Sequence, residues 1–262
     1  MIDAINLYKS FGSNQVLKGM NLTIETGITQ VIIGRSGCGK SVFLKNIIGL
    51  IKPDAGQVII DNQDVTKLTM KDLHDLRMQF GMLFQGAALF DSLTVAENVA
   101  FNLIEHTDTD SQTIAKRVKE SLALVDLYGI EDLMPSELSG GMRKRVGIAR
   151  AICIRPKIIL YDEPTTGVDP IMADAVNELI MELHSKLEIT SIVVTHDMVS
   201  AYKIGSKISM LYDGKILASG TPAEIKNSTD PTVKQFVTGA AKGPITEKTG
   251  LSHNIIKEGE AL

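Results

Sequence analysis

The chain is short of several things, and each shortage removes a class of function. Only two cysteines occur in 262 residues, Cys38 and Cys153, which excludes a disulfide framework and fits a reducing compartment. Basic excess is missing too: the formal net charge is -4, so a nucleic-acid binder driven by phosphate neutralisation is not expected. No stretch approaches the roughly 18 consecutive apolar residues of a spanning helix, and Met1-Ile2-Asp3-Ala4 runs into a strand-like pattern without a basic, then apolar, leader. Internal repeats, low-complexity runs and Gly/Ser linkers are lacking as well. What remains is 44% hydrophobic, enough to bury the core of an ordinary globular unit.

Apolar runs at Ile2 to Leu7, Leu17 to Ile24 and Gly56 to Ile60, separated by turn residues such as Gly12-Ser13-Asn14, predict strands of a small antiparallel sheet. Between them Thr29 to Ile33 is a β-branched run that leads into a glycine-rich loop, followed by Val42 to Leu50 at helical spacing with Pro53 as a stop. Ile158 to Tyr161 and Thr190 to Thr195 are continuous apolar strands of the kind covered on both faces in a parallel sheet. The fold class is therefore α/β. Thr94 to Ala151 reads as an inserted helical subdomain, with a polar loop around Glu105 to Gln112. Asp213-Gly214 predicts a two-residue hairpin between Ile208 to Tyr212 and Lys215 to Ala218. A short helix opens at Pro222, a second covers about Pro231 to Thr238, and a polar tail begins at Lys242.

The glycine-rich loop is Gly34-Arg35-Ser36-Gly37-Cys38-Gly39-Lys40-Ser41, a phosphate loop of the form G-x-x-x-x-G-K-[ST]. Its glycines let backbone approach anionic oxygens closely, Lys40 reaches the β and γ phosphates, and Ser41 offers a hydroxyl to Mg²⁺. Val42 opens the helix whose N-terminal dipole favours the same anion. Cys38 reads as a small loop residue, since no histidine partner is suggested. Asp162 ends an apolar strand where open α/β sheets place their ligands, and it can hold Mg²⁺ through water. Glu163 is the candidate base for the attacking water. An isolated Asp-Glu pair would read as a solvated strand end, but the phosphate loop upstream reverses that ranking.

Between those motifs lies Leu138-Ser139-Gly140-Gly141-Met142, which resembles the signature of ATP-binding-cassette ATPases. The resemblance covers about residues 1 to 225. It implies a RecA-like mixed-sheet core with an antiparallel β-subdomain and an inserted helical subdomain at about 86–152. The ATPase unit then spans 1–240 and a C-terminal extension 241–262. It further implies that His196 contacts the γ-phosphate and the catalytic water, that Gln85 touches Mg²⁺ and responds to a membrane partner, and that Phe11 stacks on adenine. Asp169 matches the loop between two nucleotide sites. In the family, two subunits pair head to tail, so that Ser139, Gly140 and Gly141 of one cover the ATP on the phosphate loop of the other.

Softer features narrow the resemblance. Phe84 to Val95, Met142 in place of the usual glutamine, and Asp230 to Val237 followed by Gly243-Pro244 look like the ATPase of Mla-type phospholipid transporters. Such a system implies a homodimer bound to a permease dimer at the cytoplasmic face of the inner membrane, with a lipid carrier of the mammalian-cell-entry type and a small regulatory subunit. Alternatives are an importer ATPase for amino acids or other small solutes, and a soluble cassette acting in assembly. Arg143-Lys144-Arg145 is expected to form a solvated basic face, or else to approach phosphate or permease. The tail is expected to be disordered or, through Ile245, Leu251, Ile255 and Ile256, to wrap the other subunit. His74, His106, His184 and His253 sit in polar sequence and receive no role.

Overall fold

The computed structural model describes residues 1–248. The chain begins with β1 (Ile2–Phe11), β2 (Asn14–Ile24) and β3 (Thr29–Ile33), then α1 (Lys40–Ile47), β4 (Ala55–Ile60) and β5 (Gln63–Asp64). Next come α2 (Met70–Arg77), β6 (Phe80–Leu83), α3 (Val95–His106), α4 (Ser111–Leu124) and α5 (Gly140–Cys153). The second half holds β7 (Ile158–Asp162), α6 (Pro170–Leu187), β8 (Thr190–Thr195), α7 (Met198–Ile204), β9 (Lys207–Tyr212) and β10 (Lys215–Gly220). Three short helices finish the described chain: α8 (Pro222–Lys226), α9 (Pro231–Thr238) and α10 (Pro244–Lys248).

Two sheets result. One is antiparallel in the order β2-β1-β4-β5; the other is six-stranded and mixed, β10-β9-β3-β8-β7-β6, with β10 antiparallel to β9 and the remaining pairs parallel. Every residue of β3, β7 and β8 is buried, as a sheet covered on both faces requires. Their side chains alternate between two cores. Val31, Ile33, Ile159, Tyr161 and Val193 face α3 to α6, while Ile32, Leu160, Ile192 and Val194 face α1 and the antiparallel sheet. Each fully buried side chain of this size contributes roughly 1.5–3 kcal/mol, and the two cores clamp the central strands from opposite sides.

Local signals set the boundaries. Helix α3 opens with a full capping box between Thr94 and Glu97, and Asp110, Ser139, Asp169 and Asp197 each accept a backbone N–H at the start of α4, α5, α6 and α7. Helix α1 ends at Ile47, short of the expected Leu50, because Gly49 turns left-handed at φ 63° before Pro53 is reached. At the hairpin, Asp213 and Gly214 adopt φ 48° and 75°, the geometry that Asp-Gly favours.

The first residues of the tail are ordered against the chain's own subunit. Residues 244–248 form α10, and Ile245 is buried against the chain's own α9, where its N–H donates to Gln235 Oε1 at 2.8 Å. Ile245 is thus satisfied within its own subunit and is not free to reach another. Leu251, Ile255 and Ile256 lie outside the described residues.

Candidate nucleotide site

Four parallel strands deliver chemistry to one edge. Past the C-terminal ends of β3, β6, β7 and β8 come the phosphate loop, Gln85, Asp162-Glu163 and His196, because all four strands run the same way. A cavity of about 270 Å³ there is lined by Phe11, Val16, Ser36, Gly37, Gly39, Lys40, Ser41, Val42, Gln85, Glu163 and His196. Gly34, Arg35 and Cys38 complete the loop beside it, and Arg35 and Cys38 border a second hollow shared with Tyr212. Burial pushes the Cys38 thiol up despite the Lys40 charge, which leaves it a poor nucleophile.

The loop needs glycine for two distinct reasons. Gly39 holds φ 108° as the cap of α1, and a Cβ there would lie 2.8 Å from Val16 Cγ1. A Cβ on Gly34 would meet Leu211 O at 2.5 Å. The first-turn N–H groups of α1 have no intrahelical partner, and Lys40, Ser41 and Val42 of that turn line the cavity.

Lys40 is nearly buried. Its Nζ donates to Gly34 O at 2.7 Å and Arg35 O at 3.2 Å, and lies 3.2 Å from Glu163 Oε1. Glu163 is 7% exposed and sits at φ 50°, a left-handed backbone uncommon for a residue with a side chain. Its Oε2 is 2.9 Å from His196 Nδ1 and accepts from Thr166 Oγ1 at 3.3 Å. Burial alone would raise its pKa, but the hydrogen bond from His196 and the charge of Lys40 outweigh that and hold the carboxyl below its usual value. Glu163 is therefore an ionised acceptor in an interior setting.

One residue earlier the balance reverses. Burial, with the Glu163 charge adding to it, raises the pKa of Asp162, even though Ser41 Oγ donates to its Oδ1 at 2.8 Å. Two hard oxygens held side by side, with a carboxylate short of compensating charge, suit a small divalent cation such as Mg²⁺ that keeps most of its water. Phe11 ends β1 at the cavity rim, 47% exposed, with Lys9 Nζ 5.6 Å from its ring centre.

Some expected site residues are not brought here. Ser139 and Gly140 are exposed at the start of α5 and line no part of the cavity, although Ser139 caps the helix as expected by accepting from Met142 N at 3.2 Å. Asp169 caps α6, next to a hollow lined by Thr166, Gly167 and His196. The basic run divides three ways: Arg143 is exposed, Arg145 is half-buried on Val125 O, and Lys144 is buried with its Nζ donating to Gln85 O and, at 3.5 Å, to Glu163 O. A solvated face describes Arg143 alone. Lys144 was legible in principle, since helical spacing puts it in line with Gly141, Ile148 and Ala151 on the buried side. His74 and His106, both exposed, meet edge to face at 5.0 Å beside an apolar groove.

A mixed sheet with a phosphate loop, an acidic pair at a strand end and a histidine just past the adjoining strand defines a P-loop ATPase. The ABC transporter family profile matches residues 17–166, and the chain belongs to that family as its ATP-binding, ATP-hydrolysing cassette. It is similar to the probable ribonucleotide transport ATP-binding protein mkl of Mycobacterium tuberculosis, 41% identical over 261 residues, covering 100% of this chain and 73% of that one. It is similar also to the intermembrane phospholipid transport system ATP-binding protein MlaF of Escherichia coli, 38% identical over 94% of this chain and 91% of that one. Among solved structures, the ATP-binding cassette MJ0796, a dimer in a post-hydrolysis state with ADP and Pi, superposes with TM-score 0.77 at 34% identity over 85% of this chain and 99% of that one. Among the described residues no helix is long and apolar enough to cross a membrane.

Proposed function

We propose that the chain is the ATPase subunit of a phospholipid transporter, acting as a head-to-tail homodimer peripheral to the cytoplasmic face of an inner membrane. The cargo reading rests on the likeness to MlaF, which runs along 94% of the chain. The hydrolytic reading rests on one arrangement: a buried, ionised Glu163 held between Lys40 and His196 at the cavity wall. Residues 1–240 serve as the ATPase unit, with the helical subdomain at about 86–152, and 241–262 as an extension of it.

The loop N–H groups and the α1 terminus cradle the phosphates, and Phe11 at the rim takes the adenine face. Ser41 and Asp162, with Gln85 nearby, would hold Mg²⁺, which when bound would neutralise phosphate charge. Glu163 Oε2 accepts the proton of the attacking water as the water oxygen bonds to the γ-phosphorus and the bond to ADP breaks. His196 orients that carboxylate and faces the γ-phosphate, while Lys40 offsets charge on the transferred group. Ser139 and Gly140 are exposed away from the subunit's own cavity, with Gly141 buried behind them, which suits this tip to close the partner's cavity, with Asp169 between the two sites.

The apolar groove of about 530 Å³ between the mixed sheet and α3 is lined by Met82, Phe84, Phe90 and Phe101, directly beside Gln85. An apolar helix of the permease fits it, which joins membrane movement to the nucleotide cavity. A lipid carrier and a small regulatory subunit would complete the assembly. Affinity capture of the full chain from detergent-solubilised membranes tests this, with companions and bound lipid identified by mass spectrometry. An integral permease with glycerophospholipid is expected. A permease whose presence makes hydrolysis respond to ribonucleotides and not to phospholipid would move the cargo to the reading carried by the mycobacterial relatives' name, and absence of any integral partner would overturn the transporter.

A further inference from the structure

Helix α5 presents Lys144, Gly147 and Arg150 at three-residue spacing to the chain that leaves β6. Lys144 Nζ donates to Gln85 O. A Cβ on Gly147 would sit 2.8 Å from Leu83 Cδ1 and 3.2 Å from Ala87 Cβ, so glycine is what lets the helix come this close. Arg150 then closes the contact with a fork, Nη2 donating to Ala87 O at 2.6 Å and Nη1 to Ala88 O at 2.7 Å. Arg150 as a residue is 7% exposed, an interior charge committed to two backbone carbonyls.

Those carbonyls belong to an unusual pair. Ala87 and Ala88 adopt φ 62° and 48°, two successive left-handed residues without a glycine between them. Alanine disfavours that region and persists there only when the surroundings over-determine it. Ala87 is buried, which explains its methyl by packing; Ala88 is exposed and has no such reason. Upstream, Gln85 lines the nucleotide cavity beside Lys40, Glu163 and His196; downstream, Ala88 and Phe90 line the apolar groove together with Arg150 itself. The left-handed pair is the stretch of chain that joins the two.

We propose that Arg150 is a positioning residue for hydrolysis: its fork holds Ala87-Ala88 left-handed and so aims Gln85 into the cavity. It touches neither nucleotide nor attacking water and acts wholly through backbone. The inference rests on the reading of the cavity as the hydrolytic site.

Steady-state hydrolysis by the purified full chain tests it, with kcat and KM for ATP separated. Arg150→Gln is expected to lower kcat about tenfold, the scale of one disfavoured left-handed residue. KM stays within about twofold, since the phosphate loop is untouched. Adding Ala88→Gly to Arg150→Gln restores most of the loss, because glycine takes the left-handed form without help. Ala88→Val, with Arg150 intact, reproduces the loss at an exposed position where no core packing changes, a β-branched residue being least tolerant of this φ. Ala88→Val therefore decides the matter alone if Arg150→Gln fails to fold. Full kcat in Ala88→Val, or an Arg150→Gln deficit that Ala88→Gly leaves in place, overturns the proposal. A wild-type chain that binds ATP without hydrolysing it would instead overturn the hydrolytic reading beneath it.

Discussion

Replacing Glu163 by glutamine removes one charge and almost no volume from the centre of the site. Loss of a general base lowers turnover about 10²- to 10⁴-fold, or about 3–5 kcal/mol in the barrier. The effect on stability has a definite sign as well. Lys40, 5% exposed, loses its ion pair at 3.2 Å but keeps Gly34 O and Arg35 O as acceptors. The nucleotide-free variant should therefore lose about 1–3 kcal/mol, the range for a buried polar group left short of a partner. Bound phosphate replaces the missing negative charge, so the ATP-dependent rise in melting temperature should exceed that of the wild type. At a hundredfold excess over Kd the wild type itself gains about 2.7 kcal/mol, or roughly 5–10 °C for a chain of this size. Phosphate release and thermal melting of the full chain, with and without Mg-ATP, measure both quantities. Residual turnover above about a tenth of wild type would show that another group takes the proton. A smaller ATP-dependent shift than wild type would refute the assignment of Lys40 as the phosphate-facing cation.

The remaining expectations concern other parts of the site and the fold. Lys40→Ala should lose most ATP affinity in a direct binding titration, and wild-type affinity would contradict the phosphate-loop reading. Asp162 carries a raised pKa, so its ionised form opposes folding above that value and the opposition is relieved as pH falls through it; Asp162→Asn should accordingly melt no lower than wild type at neutral pH without Mg-ATP, yet lose Mg-dependent hydrolysis. A lower melting temperature would show that the carboxylate is stabilised there. Glu163 has the opposite sign: its depressed pKa contributes stability above the ordinary carboxylate range that disappears as pH falls through the lower value, and Glu163→Gln should flatten that acid limb of the melting profile. Ile245→Ala should cost about 2 kcal/mol in denaturant unfolding, the low end for a buried isoleucine at the margin of a core. An unchanged midpoint would mean that α10 docks outside the cooperative unit.

Much of the architecture was legible because its causes are local. Ile158 to Tyr161 and Thr190 to Thr195 read as doubly covered strands from their continuous apolar runs, and both are fully buried neighbours in the mixed sheet. Asp213-Gly214 specified its hairpin by backbone preference alone. The gaps have equally specific causes. Asp169-Pro170 is a strong helix opening for α6, but the same aspartate matches the loop between two nucleotide sites, and that likeness masks the helix signal behind it. The Arg-Lys-Arg run looks uniformly wet by composition, whereas α5 turns Lys144 inward against carbonyls supplied by strands distant in the chain. Left-handed backbone at Glu163, Ala87 and Ala88 is imposed by tertiary contacts and leaves no trace in residue type. Residue type pointed to Lys40, Asp162, Glu163 and His196; the contacts that tether them are tertiary and carry no local signal.

The backbone N–H of Glu163 donates to Val194 O at 2.9 Å, which stitches the end of β7 to β8 two residues before His196. The buried acid residue and the half-exposed imidazole thus follow adjoining strands of one sheet, tied by this bond and by the 2.9 Å contact between their side chains. Timing of each cycle must come from whatever is brought up to that fixed couple from outside. A drug or a regulator aimed at this enzyme would do better to block the approach of the exposed Ser139 tip or the Gln85 segment than to try to pry the couple apart.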